Sequence, residues 1–248
     1  MKKKFFATAA VCVLSAACVF GVTACNNGGG SSNGLPDVGD SAKIENAADW
    51  KAAFEKTVNA TNYSYTRVTQ YLDFKYSEKQ KVYVWGNEKF SDITLSDGSV
   101  QWIDYLICEN NVTYDTHLDE YGKWNTYDYD CFWYSFDGEL DIFSGFDSNS
   151  NDEFDGEKTL GDLFDEFVYK DGKYTANLKA EAYDGYISVP VSVKFNNEGY
   201  VSYFYMSYIS PYENLVAEYV FYDYGTTDFK NVPAEARQAV EDYKAANN

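Results

Sequence analysis

Hydrophobic and polar positions follow two different periods along this chain. Residues 45–60, ENAADWKAAFEKTVNA, place Trp50, Phe54 and Val58 four apart, which predicts one face of an amphipathic helix. From Tyr63 onward the period is two, in segments rich in tyrosine, valine and phenylalanine that are separated in places by the turn formers SDG and ENN. The pattern therefore predicts a short helix followed by a long series of strands.

The later strands carry the clearest alternation. In ISVPVSVKF, residues 187–195, every second residue is apolar, so these side chains share one face. We count roughly ten strands joined by short turns, which is typical of an antiparallel meander. A twisted sheet of this length tends to curl toward a barrel.

Two further segments have helical spacing. TLGDLFDEFVY, residues 159–169, predicts an inserted helix capped by Thr159, and PAEARQAVEDYKAANN, which begins at Pro233, predicts a short C-terminal helix. The predicted fold class is therefore α+β: an N-terminal helix, then a long antiparallel meander that forms an unclosed β-barrel, with an inserted helix and a short C-terminal helix. One domain is expected over residues 44–248.

The N-terminal sequence predicts a location outside the cytoplasm. Lys2, Lys3 and Lys4 precede an uncharged apolar run, residues 5–22, which is typical of a secretory signal peptide over residues 1–24. The run ends in VTAC, which resembles the bacterial lipobox, whose cysteine is diacylated and becomes the new N-terminus. Cys25 is therefore predicted to anchor the chain to the outer face of the cytoplasmic membrane, with residues 25–43 as a flexible tether. The alternative is an uncleaved anchor helix, which leaves the domain on the same side of the membrane.

Charge then excludes one class of partner. The formal net charge is −19, and removal of the three lysines in the predicted signal peptide leaves −22. A chain this acidic is repelled by phosphate backbones, so we expect no nucleic acid partner. The aromatic content is high, with 24 tyrosines, 17 phenylalanines and 5 tryptophans, and much of it reflects β propensity.

The polar residues give no catalytic pattern. His117 is the single histidine, no nucleophile stands in a recognisable motif beside it, and 39 acidic residues make chance carboxylate pairs uninformative. The acidic stretch at residues 147–162 has oxygen ligands at the spacing of a calcium loop, at Asn151, Glu153, Asp155 and Asp162. A calcium loop begins with aspartate and closes with glutamate, and both are absent here. We therefore predict no enzyme, no metal and no cofactor.

Two cysteines remain in the predicted domain, Cys108 and Cys131. An extracytoplasmic location permits a disulfide between them. A simple meander, however, separates them by about two strand spacings of 4.8 Å, beyond the reach of a bridge. The pairing stays open at the level of the sequence.

The order of elements resembles a known group of proteins. An acylated cysteine, a tether, a helix, a long meander, an inserted helix and the ending YVFYDYGTTDFKNVP are similar to the LolA/LolB and LppX/LprG-like lipoproteins. The resemblance spans residues 44–246 and implies an open barrel, half wrapped around a helix, whose concave face holds a lipid or acyl chain.

We therefore predict a lipoprotein that binds a hydrophobic ligand. The alternation places five candidate ligand-binding residues on the inner side of the later strands: Val191, Val193, Phe195, Phe204 and Phe221. A second interpretation is a surface module that stacks glycans or peptides on exposed rings such as Trp85, Trp102, Trp124 and Trp133. A third is a structural envelope lipoprotein with no small ligand.

Overall fold

The computed structural model describes residues 35–130, 140, 142–148, 158–182, 185–210, 214–228, 230 and 232–247. The chain separates into two compact units, Met1–Asp37 and Val38–Asn248, and every helix and strand described below belongs to the second. The predicted signal peptide and Cys25 lie outside the described residues.

The first helix, α1 (Ala47–Val58), begins at Asn46, whose side chain accepts a hydrogen bond from the Asp49 backbone N–H. It buries Trp50, Ala53, Phe54 and Thr57. The prediction that Val58 continues the buried face was wrong, because Val58 is 40% exposed. Thr57 takes that place: its hydroxyl donates to the Ala53 carbonyl and accepts from the Val201 backbone N–H, which ties the helix to the sheet.

In the described residues, thirteen strands form one antiparallel sheet. Their bounds are β1 (Asn62–Tyr71), β2 (Tyr76–Trp85), β3 (Glu88–Leu95), β4 (Val100–Glu109), β5 (Val112–Leu118), β6 (Trp124–Asp130), β7 (Ser144–Ser148), β8 (Lys158–Thr159), β9 (Val168–Lys170), β10 (Lys173–Ala182), β11 (Gly185–Phe195), β12 (Val201–Ile209) and β13 (Asn214–Tyr222).

Two meanders make up most of this sheet. Strands β1 to β6 lie in chain order on one side and β10 to β13 on the other, joined by the pairing of β1 with β13, in which Tyr65 lies opposite Phe221. The sheet ends at β6 and at β8, which do not pair with each other in the part of the chain that the structure describes. The open-barrel class is therefore confirmed, and it is the arrangement that the resemblance to LolA/LolB and LppX/LprG-like lipoproteins implies.

A helix covers each face of the sheet. We call the face against which α1 packs the inner face; Val82 and Val84 of β2 lie there in one cluster with Trp50. The C-terminal helix α2 (Ala234–Asn247) packs on the outer face, where Val240 joins Tyr105 of β4. Neither helix of the described part is long and apolar enough to cross a membrane.

The inserted segment folds differently from the prediction. It forms two short 3₁₀ turns, Leu160–Asp162 and Phe164–Glu166, instead of an α-helix. The Leu160 carbonyl is occupied by the Trp50 indole N–H at 2.7 Å, and the Thr159 hydroxyl donates to the Asp162 carboxylate. The Leu160 carbonyl also accepts the 3₁₀ hydrogen bond from the Leu163 backbone N–H at 3.2 Å, so it bonds both within its segment and to α1.

At Cys108 the structure differs from the expectation that a simple meander keeps the cysteines too far apart for a disulfide. It is disulfide-bonded, and its partner lies outside the described residues. Across the sheet Cys108 lies opposite Thr113, and Thr113 lies opposite Tyr129 of β6. The spacing of strands in a regular sheet therefore does not decide whether Cys108 can form a disulfide, because the partner of a strand cysteine can lie outside the strands.

We expect Cys131, the second cysteine of the predicted domain, to be that partner. The unreduced, unfolded chain should then show no thiol at either position, and Cys108→Ala should lower the free energy of unfolding by about 3 kcal/mol through the lost loop closure. Peptide mapping after alkylation, before and after reduction, checks both cysteines. An alkylated Cys131 in the unreduced sample would contradict this pairing.

Candidate functional site

The structure brings the five predicted ligand-binding residues together on the inner face. Val193 of β11 lies opposite Phe204 of β12, and Phe221 lies on β13 in the same cluster. Each of the five is 2% exposed or less. The alternation in the sequence therefore placed these side chains on one common surface, and their contact with a ligand stays a prediction.

The chain's own rings pack over this surface. Phe143, which precedes β7, lies 5.3 Å from Phe54 of α1 and 5.3 Å from Phe204 between ring centroids, and 5.9 Å from Phe221. Trp50 lies 5.0 Å from Phe195. At this end of the inner face the described residues form a packed core.

Further along the same strands the inner face is less covered. Four partly buried residues continue the apolar surface from the core, and we call them the apolar strip: Ile187, Met206, Tyr208 and Leu215. Met206 lies opposite Val191, and Tyr208 lies opposite Leu215, which in turn lies opposite Tyr71 of β1. The strip therefore runs toward the end of the sheet where β1 turns into β2, at which Phe74 is 75% exposed.

Arg67 lies on β1, four residues before Tyr71, which is opposite Leu215 of the apolar strip. It is half-buried on the inner face, opposite Tyr219 of β13 and Gln80 of β2. Burial acts to lower the pKa of Arg67, but Tyr219, Tyr65 and Tyr71 act in the opposite direction and the pKa is raised, so the guanidinium remains charged. No motif in the sequence marks Arg67 as a binding residue, although alternation in YSYTRVTQY places it on the face of Tyr65 and Tyr71.

On the other side of Arg67 the inner face is polar. On β3 to β5 it carries Lys89, Ser91, Asp104, Asp115 and His117. The Ser91 hydroxyl donates to Asp104. Burial raises the pKa of Asp115, against the hydrogen bond from the Tyr129 hydroxyl and the charges of His117 and Lys89. The inner face is thus apolar on β10–β13, whereas on β3–β5 these polar residues lie among apolar ones such as Ile93 and Leu106. We call the latter part the polar half, and Arg67 lies between the two.

Three aromatic rings stack across the polar half. The ring of His117 lies 5.0 Å from Trp102 and 5.4 Å from Tyr127, with interplanar angles of 19° and 10°. Both faces of the His117 ring are therefore occupied, whereas Trp102 and Tyr127, which are 44% and 56% exposed, each have one face covered by it. Of the other tryptophans predicted to stack on glycans, Trp85 is exposed, Trp124 is half-buried and Trp133 lies outside the described residues.

Two adjoining depressions of about 510 and 340 Å³ lie where α2 meets the sheet, and Trp85 and Arg237 line both. In the second, Glu88 accepts a hydrogen bond from the Tyr105 hydroxyl at 2.6 Å and pairs with Arg237 at 3.2 Å. Burial, and then the bond to Glu88, raises the pKa of Tyr105. The charges in this groove are therefore matched within the chain.

The acidic stretch compared with a calcium loop is described only at its end. Asn151, Glu153 and Asp155 lie outside the described residues. Asp162 accepts a hydrogen bond from Lys51 at 2.7 Å, and this bond and the one from Thr159 lower the pKa of Asp162. Its carboxylate therefore joins the inserted segment to α1.

The chain was compared with known proteins. No protein-family model matches it, and no curated protein matches it. In fold it is similar to LprF from Mycobacterium bovis, at 11% identity and a TM-score of 0.38, over 79% of this chain and 99% of that chain. It is also similar to a DUF1329 family protein from Desulfovibrio piger, at 10% identity and a TM-score of 0.26, over 74% of this chain and 94% of that chain. At this level of similarity no ligand or role is transferred from either protein.

Proposed function

We propose that this chain is an extracytoplasmic lipoprotein that binds a hydrophobic ligand, a lipid or acyl chain, on the inner face of its open sheet. Cys25 would carry the acyl anchor and residues 25–43 the tether, which would hold the domain at the outer face of the cytoplasmic membrane. The proposal describes binding without a chemical reaction.

The observation that carries this proposal is the apolar strip. Its side chains extend the hydrophobic core toward one end of the strands and stay partly open, as ligand-binding surfaces of apolar character do. An acyl chain that covers them would bury apolar area, at about 25 cal/mol for each Å² removed from water. Val191, Phe204 and Phe221, which we predict to contact the ligand, lie beside the strip in the packed core.

Photolabelling tests the proposal with the whole chain. The full-length protein, processed by a bacterial host and held in phosphatidylcholine vesicles, is irradiated with a fatty acid that carries a diazirine on its chain. We expect labelled peptides from β11 to β13, and we expect Leu215→Asn to raise the concentration needed for half-maximal labelling roughly tenfold, because it removes one apolar contact.

Leu118→Asn is the matched control. Leu118 is also half-buried, but alternation along β5 places it on the outer face, opposite Trp124. The control should label like the unchanged protein. Labelling that is spread over outer-face peptides, or that is equal in the two variants, would argue for simple partition into the vesicle and against the proposal.

A further inference from the structure

Arg67 carries a charge that no acid of the described chain neutralises. None of the ion pairs between described residues includes it, and the hydroxyl of Tyr219 is its hydrogen-bond partner there. The sequence has 39 acidic against 20 basic residues, and the second arginine, Arg237, does pair with a carboxylate. A half-buried guanidinium without a counter-ion loses hydration, which the hydroxyl of Tyr219 replaces only in part.

The acid nearest to Arg67 in the register is engaged elsewhere. Glu78 lies opposite Thr69, diagonal to Arg67, and its carboxylate accepts a hydrogen bond from the Tyr71 hydroxyl at 3.3 Å. The residue directly opposite on β2 is the neutral Gln80. A guanidinium has five N–H donors in a planar fork, so donors remain for an oxyanion.

The position of Arg67 also defines what such an anion would be attached to. Tyr219 of β13, Phe204 of β12 and Val193 of β11 lie directly across from Arg67. Met206 and Val191 follow two residues further along β12 and β11, so the inner face on this side is apolar for roughly 15 Å, or three strand spacings. In the other direction the face becomes polar. A ligand that satisfies both sides has an anionic group at Arg67 and an apolar chain over the strip.

We propose that Arg67 binds the head group of an amphiphile that ends in a single carboxylate, such as a long-chain fatty acid. The inference rests on the proposed function and adds the class of ligand. A carboxylate matches the guanidinium fork because it can accept two parallel hydrogen bonds from it. The chain as a whole is acidic and repels an anion, but salt screens this repulsion beyond about 8 Å, and the nearby Arg67 charge offsets the remainder.

The test compares a carboxylate with a neutral head group. Two photoreactive probes with the same diazirine chain, a fatty acid and the corresponding fatty alcohol, are offered to the full-length protein in phosphatidylcholine vesicles. We expect the unchanged protein to label at about tenfold lower concentration with the acid than with the alcohol, the gain of one charge-assisted contact. This comparison needs no variant and does not depend on how well a variant folds.

Variants then assign the preference to Arg67. Arg67→Gln should lose the preference for the acid and keep labelling by the alcohol, whereas Arg67→Lys should keep part of the preference. Arg237→Gln is the matched control, because it removes the other arginine at the outer-face groove, and it should keep the full preference.

The outcomes separate the two proposals. Equal labelling by acid and alcohol in the unchanged protein, both mapped to β11–β13, would overturn the role of Arg67 and leave ligand binding standing. A preference for the acid that survives in Arg67→Gln would also overturn it. Labelling by neither probe would overturn the inference together with the proposed function.

Discussion

Trp50→Ala is expected to lower the free energy of unfolding by about 4 kcal/mol, a large fraction of the 5–15 kcal/mol that is typical of a domain. Trp50 is fully buried and its ring lies 4.7–5.7 Å from five other rings, those of Phe54, Phe164, Phe167, Tyr174 and Phe195. Its indole N–H also satisfies the Leu160 carbonyl at 2.7 Å. The substitution removes packing and a buried hydrogen bond at once.

Urea denaturation followed by far-ultraviolet circular dichroism measures this loss. Trp50→Phe keeps a ring and loses the N–H, so its cost should be intermediate, about 2 kcal/mol. The matched control is Trp85→Ala, at a tryptophan that is 49% exposed, for which we expect roughly 1 kcal/mol or less. Equal losses in Trp50→Ala and Trp85→Ala would show that Trp50 does not join α1, the inserted segment and the sheet.

Phe143→Ala is expected to cost about 3–5 kcal/mol, the range for a buried phenylalanine whose removal leaves a cavity. The ring is 2% exposed and packs against Phe54, Phe204 and Phe221. The cavity would be apolar, and an apolar cavity of this kind stays dry and binds small apolar molecules. Benzene should therefore restore part of the lost stability in Phe143→Ala, in proportion to the logarithm of its concentration.

Two comparisons make this result specific to the inner face. Benzene should leave the stability of the unchanged protein nearly the same, and Phe74→Ala, at an exposed turn, should change the free energy of unfolding by about 0.5 kcal/mol or less. A loss below about 1 kcal/mol in Phe143→Ala would mean that this ring does not fill the surface formed by the predicted ligand residues.

Local periodicity predicted most of the fold. The period of four around Trp50 and Phe54 indicated α1, and alternation in residues 187–195 indicated β11 with its apolar side inward. Both signals arise from short-range geometry, in which side-chain direction follows from backbone conformation alone. For the same reason the sequence placed Val191 and Val193 on one face of β11.

The wrong or open predictions depend on contacts between distant residues. Thr57, not Val58, faces the sheet and bonds to Val201, and the inserted segment forms 3₁₀ turns in which Leu160 bonds to Trp50. Spacing along the chain carries no information about partners more than a hundred residues away. The disulfide at Cys108 is likewise a contact that spacing along the chain did not decide.

In the candidate site, too, local sequence predicted the face on which a residue lies but not its neighbours on other strands. Alternation in β1 was sufficient to put Arg67 on the side of Tyr65 and Tyr71, but not to show which neighbours it has across the sheet. The pairing of β1 with β13 places Arg67 beside Tyr219 and the apolar strip, and no rule of local sequence predicts that these two strands meet. The ion pair of Arg237 with Glu88 likewise appears only once α2 packs on the outer face.

The chain alone thus determined the signal-like N-terminus, the acidic character, the broad order of helix and strands, and the inward side of the later strands. Those properties depend on composition and on neighbours within a few residues. The register between β1 and β13, the packing of Phe143 over the later strands and the isolation of Arg67 from any described carboxylate were decided by the tertiary structure. They depend on contacts between segments far apart in sequence, and these contacts form only when the whole sheet assembles.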